Sequence, residues 1–77
     1  MQPLVEHIVK NIVSNPDEVT VELAEEREGS VYYVTVEQND VGKMIGKNGR
    51  VITAIRHLVS AAAAKGQRKA YVKINTD

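Results

Sequence analysis

The amino-acid sequence predicts a small α+β domain of two layers, in the order helix, strand, strand, short helix, long helix, strand. Three observations carry that reading. An apolar period of helical spacing opens the chain, two runs with strand alternation follow, and a glycine-broken pair of helical segments leads into a last alternating run. Three short strands cannot hide their apolar face unaided, so the helices are expected on one side of the sheet. Residues 1–77 make one domain at most, and 43% apolar residues suffice for a core.

Leu4, Val5, Ile8, Val9, Ile12 and Val13 line one face of a helix expected over Met1–Ser14, with Pro3 in its first turn, where a missing N–H is harmless. Asn15-Pro16-Asp17 breaks it, because the residue before proline avoids the helical region. Val19, Val21 and Leu23 alternate with Thr20, Glu22 and Ala24 as in a half-buried strand. Val31–Glu37 is β-branched and aromatic, with Tyr32, Val34 and Val36 on one side and Tyr33 and Thr35 on the other. Between them Glu25–Ser30 reads as a polar hairpin loop whose Gly29 is available for a positive φ. Asn39 or Asp40 is a suitable cap for a short helix that Gly46 must end. A longer helix is expected from about Arg50 to Lys65, rich in alanine, with Gly66 as its stop. Ala70–Ile74 reads as the last strand, Val72 and Ile74 facing one way and Tyr71 and Lys73 the other.

Composition excludes several function classes. There is no Cys, hence no disulfide framework, thiolate metal site or cysteine nucleophile. No apolar run approaches the ~20 residues that span a membrane, and nothing resembles a secretory signal, so a soluble, cytoplasmic protein is expected. His7 and His57 lie far apart on different expected helices without a second ligand at metal spacing, and Asp40 is the one acid near the glycines. Neither a metal site nor a carboxylate pair is evident, so an enzyme is not expected and no cofactor or small-molecule substrate is implied. The formal net charge is zero, yet residues 1–40 hold nine acids and two basic side chains, and residues 41–77 hold eight basic side chains and one acid, Asp77. The total thus conceals a division of −7 against +7, which hints at an electrostatic footprint.

The chemistry-bearing stretch is Val41-Gly42-Lys43-Met44-Ile45-Gly46-Lys47-Asn48-Gly49-Arg50. A P-loop requires four residues between its glycines and a hydroxyl after the lysine; here Gly42 and Gly46 enclose three, and Asn48 follows Lys47. The dinucleotide pattern also fails on spacing. Gly46-Lys47-Asn48-Gly49 fits instead as a G-x-x-G turn after the apolar Ile45. Two glycines three apart leave the backbone bare, so a phosphate chain can approach closely. The amides that open the next helix add partial positive charge, Lys47 projects as a cation, and Lys43 and Arg50 flank it. Asn48 tolerates an unusual backbone conformation or donates its amide.

In that context the chain resembles the KH domains, RNA-binding modules whose G-x-x-G loop clamps about four backbone nucleotides. "DVGKMIGKNGRVITAIRHLV" carries nearly all of the resemblance. The element order, with the extra helix and strand first, is similar to the bacterial type II variant, and the size to small stand-alone bacterial KH proteins of the KhpA type. The resemblance implies phosphates along Gly46, Lys47, Asn48 and Gly49. Bases would lie in a groove floored by Val41, Ile45 and Ile52, with Val34 or Val36 as strand contributors. It implies single-stranded RNA bound with limited sequence preference, in post-transcriptional regulation or as an RNA chaperone. Only Tyr32, Tyr33 and Tyr71 could stack on bases, so an aromatic platform is not expected. Arg56, Lys65, Arg68, Lys69 and Lys73 read as a solvated face with long-range attraction.

The apolar arc of the long helix runs from Ala61 and Ala54 through Leu58 and Ile55 to Ala63, roughly 200° and wider than one sheet contact requires. Its Ala54–Leu58–Ala61 shoulder is either covered by the N-terminal helix or meets a second copy. The resemblance favours a homodimer, or a heterodimer with a larger RNA-binding protein of the KhpB type. Two other readings are an RNA-independent interaction module using this helix and a ribosome-assembly factor.

Overall fold

A computed structural model describes residues 1–75, and Asp77, the one acid of the basic half, lies outside them. The elements are α1 (Gln2–Lys10), β1 (Thr20–Glu26), β2 (Gly29–Thr35), α2 (Val41–Ile45), α3 (Arg50–Lys65) and β3 (Ala70–Ile74). Single 3-10 turns occupy Pro16–Glu18 and Gln38–Asp40, and a tight turn with left-handed Asn48 spans Lys47–Gly49. The sheet order is β1-β2-β3, with β1 antiparallel and β3 parallel to the central strand. A hairpin suffices for the first pairing, whereas the parallel one needs a crossover, which α2 and α3 supply. This is the expected α+β, two-layer order.

The buried helical side chains all join one cluster. Val5 and Val9 of α1, Met44 of α2 and Ile52, Ile55, Val59 and Ala63 of α3 pack against Val21, Tyr32, Val34, Ala70 and Val72 of the sheet. The helices therefore share one face, and alternation leaves Glu22, Ala24, Val31, Tyr33, Tyr71 and Lys73 on the other.

Several boundaries differ from the sequence expectation, each for a local reason. The first helix ends at Lys10 rather than Ser14. Asn11 turns its side chain onto the His7 carbonyl (2.7 Å), and Ile12 N–H bonds three residues back to Val9, which tightens the last turn. The expected six-residue hairpin loop is a turn of Arg27 and Glu28, with Glu26 paired to Gly29. Polar Glu25 stays in the ladder because Ser30 Oγ and Arg68 Nη2 both donate to its carboxylate (3.1 and 3.0 Å). Leu23 points to the helical side but lies largely uncovered. The second strand stops at Thr35, and Glu37 caps the following turn by accepting from Asn39 N–H (2.8 Å). The long helix stops at Lys65 as expected, but Gly66 has an ordinary φ of −96°, and the left-handed residue is Gln67 (φ 58°). Gln67 N–H bonds to Ala64 O and Arg68 N–H to Ala63 O, a Schellman closure displaced by one residue.

Asp40 is not the helix cap its position suggests. It makes no side-chain capping bond to the amides of α2 and is 1% exposed. Its carboxylate accepts from Ser14 N–H (3.1 Å), Asn15 N–H (3.0 Å) and Asn15 Nδ2 (3.1 Å), tying the chain beyond α1 to the start of α2. Burial pushes its pKa upward, but the Ser14 amide, the two Asn15 donors and the Lys43 charge together outweigh burial, and the carboxyl lies below its ordinary value. A native value below the unfolded one adds stability above the unfolded value, about pH 4, that is lost as pH falls through the native value. Asp40→Asn is therefore expected to melt below the unsubstituted protein at pH 7, with the gap closing below about pH 4 in circular-dichroism melts.

Candidate nucleic-acid interface

The five residues of α2 end where Gly46 N–H meets Gly42 O (2.9 Å). Gly46 then takes φ 75°, ψ 175°, Asn48 φ 57° and Gly49 φ 74°, so three of the four loop residues lie at positive φ. Gly49 N–H closes the turn on Gly46 O (3.2 Å), and α3 starts at once with Arg50. Gly46 is constrained twice, because a Cβ there would stand 2.3 Å from Val51 Cγ2 and 2.9 Å from Val51 N. Gly49 faces open space and is constrained by its φ alone, while Gly42 has helical φ and nothing near it. Asn48 takes the unusual backbone that its short amide side chain tolerates.

Lys43, Lys47 and Arg50 all reach solvent. Lys43 is engaged, donating to Ser14 Oγ and standing 3.9 Å from Asp40 Oδ1. Lys47 and Arg50 make no ion pair among the described residues. The first turn of α3 holds no acid and no side chain caps it, so its amide dipoles add to these two cations.

The apolar positions divide. Ile45 is 40% exposed and Val41 half-buried, both beside the loop. Ile52, Val34 and Val36 belong to the core, and Met44 beneath them is wholly buried. Beyond the loop a groove follows β3. Arg56 Nε donates to Val72 O (3.2 Å), and a hollow of ≈ 340 Å³ lies between Arg56, Ser60, Ala70, Val72 and Lys73. Because only residues 66–69 join the end of α3 to the start of β3, and Arg56 reaches back to Val72, α3 runs antiparallel to β3 with its loop end toward the end of that strand. Lys69 O and Asn75 N–H bond to β2, so the alternate residues Ala70, Val72 and Ile74 turn their backbone groups outward along a free edge. Arg56, expected on a solvated face, is thus part of the surface. Its partner lies 16 residues away, so nothing in the local sequence marks it.

On the outer side of α3, Ala54, Leu58 and Ala61 are exposed, Leu58 by 56%. The N-terminal helix does not cover this shoulder. Both histidines are also exposed.

A family model described as the KH domain of KhpA/KhpB matches residues 2–74. The RNA-binding protein KhpA of Oceanobacillus iheyensis is 43% identical over 74 residues, 96% of this chain and 99% of that one. The RNA-binding protein KhpA of Mycobacterium leprae is 47% identical over 64 residues, covering 83% and 80% of the two chains. That of Streptomyces coelicolor is 41% identical over 75 residues, covering 97% and 95%. A crystal structure of Aquifex aeolicus Era superposes with a TM-score of 0.70 over 95% of this chain and 28% of that one. At 16% identity the likeness to Era is one of fold.

The glycines of the loop region differ in what they tolerate. Gly46→Ala is expected to lose about 2–4 kcal/mol in chemical denaturation, from overpacking against Val51 together with a strained φ. Gly42→Ala, which adds a methyl group to open space on a helix, is expected to be neutral or to gain up to about 1 kcal/mol.

Proposed function

The chain belongs to the KhpA/KhpB family of KH domains, and from that premise we propose that it binds single-stranded RNA through the Gly46–Gly49 loop. The observation that carries the reading is a bare, positive-φ turn at an uncapped helix start, with Lys47 and Arg50 beside it and in no ion pair among the described residues. Phosphates follow Gly46, Lys47, Asn48 and Gly49, with Lys47 and Arg50 as counter-charges. Bases lie against Ile45 and Val41 and run toward Arg56 and the free edge of β3. Apolar contact and backbone groups read bases weakly, so sequence preference is limited. That suits post-transcriptional regulation or RNA chaperoning more than recognition of one site.

The test uses the two loop positions whose side chains are exposed. Gly46→Asp would collide with Val51 and confuse misfolding with lost binding. Asp at 47 meets no such collision, and at 48 it tolerates the left-handed backbone nearly as well as Asn. Lys47→Asp/Asn48→Asp is expected to stay folded, bind RNA at least about tenfold more weakly and lose about 0.7 per lost phosphate contact from its salt slope. Undiminished binding by the folded double variant in a shift assay would refute the reading.

The exposed Ala54–Leu58–Ala61 shoulder supports a second element of the proposal. Small residues around one leucine let two helices approach closely, so the shoulder pairs with a second copy or with a larger RNA-binding protein of the KhpB type. Leu58→Asp is expected to sediment as a folded monomer where the unsubstituted chain sediments as a dimer. Equal sedimentation of the two removes the homodimer and leaves the shoulder only to a heterologous partner.

A further inference from the structure

The β3 strand is flanked by hollows on both sides. One, of ≈ 340 Å³, is the groove toward α3. The other, of ≈ 430 Å³, lies on the open face of the sheet against the hairpin turn. Tyr71 and Lys73 line both. The register places Tyr71 beside Val31 and Lys73 beside Tyr33, so an aromatic and cationic strip follows the edge of the open face. Val31 is buried yet stands outside the core cluster, which makes it the floor of the second hollow. Tyr71 is 42% exposed, a large ring uncovered next to that floor.

A nucleobase matches this surface better than a phosphate does. Its flat apolar face needs a ring to stack on, and stacking on an aromatic side chain tolerates any base. Arg27 and Lys73 stand on the rim with Glu26 and Glu28. Two carboxylates against two cations leave the hollow no net positive charge to draw a phosphate, whereas Lys73 and Arg56 put two cations on the β3 ridge between the hollows. The open face therefore takes the ring while the ridge takes the backbone.

We propose that an RNA strand lying in the α3–β3 groove continues over the edge of β3 and stacks its next base on Tyr71, with Lys73 holding the intervening phosphate. The inference rests on the RNA-binding reading of the loop and extends its footprint beyond the four nucleotides the loop holds. It gives an exposed tyrosine a role in affinity for longer RNA and none in binding the shortest ones.

The experiment measures fluorescence anisotropy of the full chain with labelled four- and eight-nucleotide RNAs of mixed sequence at one salt concentration. Tyr71→Ala is expected to weaken eight-nucleotide binding about tenfold, leave four-nucleotide binding unchanged and keep its circular-dichroism spectrum. Tyr71→Phe, which keeps the ring, is expected to bind both as the unsubstituted protein does. An eight-nucleotide affinity unchanged in Tyr71→Ala overturns the inference and leaves the open face to a protein partner. Equal losses for both lengths also overturn it, because Tyr71 would then act on the loop site. Failure of the underlying reading has a different signature: the unsubstituted chain binds neither RNA, or Lys47→Asp/Asn48→Asp binds both undiminished.

Discussion

Gly46 and Val51 approach so closely that no side chain fits between them, and the geometry of the candidate surface depends on that contact. It lets α2 stop and α3 start within four residues, with the loop backbone turned outward and the first amides of α3 uncapped. A helix of five residues has no stability of its own, since nucleation costs more than one turn returns. The α2 helix is instead held from both ends. Gly46 seats its C-terminus on Val51, and the buried Asp40 carboxylate fastens the opposite end to Ser14 and Asn15. Between the two fixtures Met44 is wholly buried in the core. The same fastening draws Lys43 toward Ser14 and Asp40, whereas Lys47 and Arg50 are exposed and make no ion pair among the described residues.

The sheet order turns a division along the chain into a division in space. The acidic half builds α1, β1 and β2, and the basic half builds α2, α3 and β3, so Glu22, Glu25 and Glu26 lie on one edge strand and Lys73 on the other, with Arg56 leaning over it. The outer strands are two spacings apart, about 10 Å, comparable to the screening length at physiological salt. The acidic edge is therefore only partly felt at the basic one. A chain of zero formal charge can present a local attractive field there, while its acidic edge disfavours binding of polyanions at random.

The long helix and last strand were legible to the residue, Arg50–Lys65 and Ala70–Ile74, because their end signals are local: a glycine on each side of the helix and strict alternation after it. Where long-range pairing decides, the sequence misleads. Glu25 looks like loop, yet Arg68, 43 residues away, keeps it in a strand. Asp40 looks like a cap, yet its partners lie 25 and 26 residues earlier. Periodicity identifies the face of an element but not what covers it. Ile52, Val34 and Val36 were expected along a groove and lie in the core, whereas Leu58 shares the apolar arc of Ile55 and stands in solvent. The glycine loop was readable because its requirement is conformational and local. The β3 groove was not, because a free strand edge exists only once the strand order is known.

The arrangement of α3 bears on how so small a surface could gain useful affinity. A loop that holds about four nucleotides and reads them weakly binds weakly alone, and a second site on a linked copy raises apparent affinity without any new contact type. Pairing helps only if it leaves the RNA surface open. At 100° per residue, Leu58 lies about 200° from Arg56 around the α3 axis, and Ala61 about 140°. The groove side and the shoulder side of the helix thus point in nearly opposite directions. Two copies joined at Leu58 would keep both β3 edges and both loops accessible, so association and RNA binding do not compete for the same face of the helix.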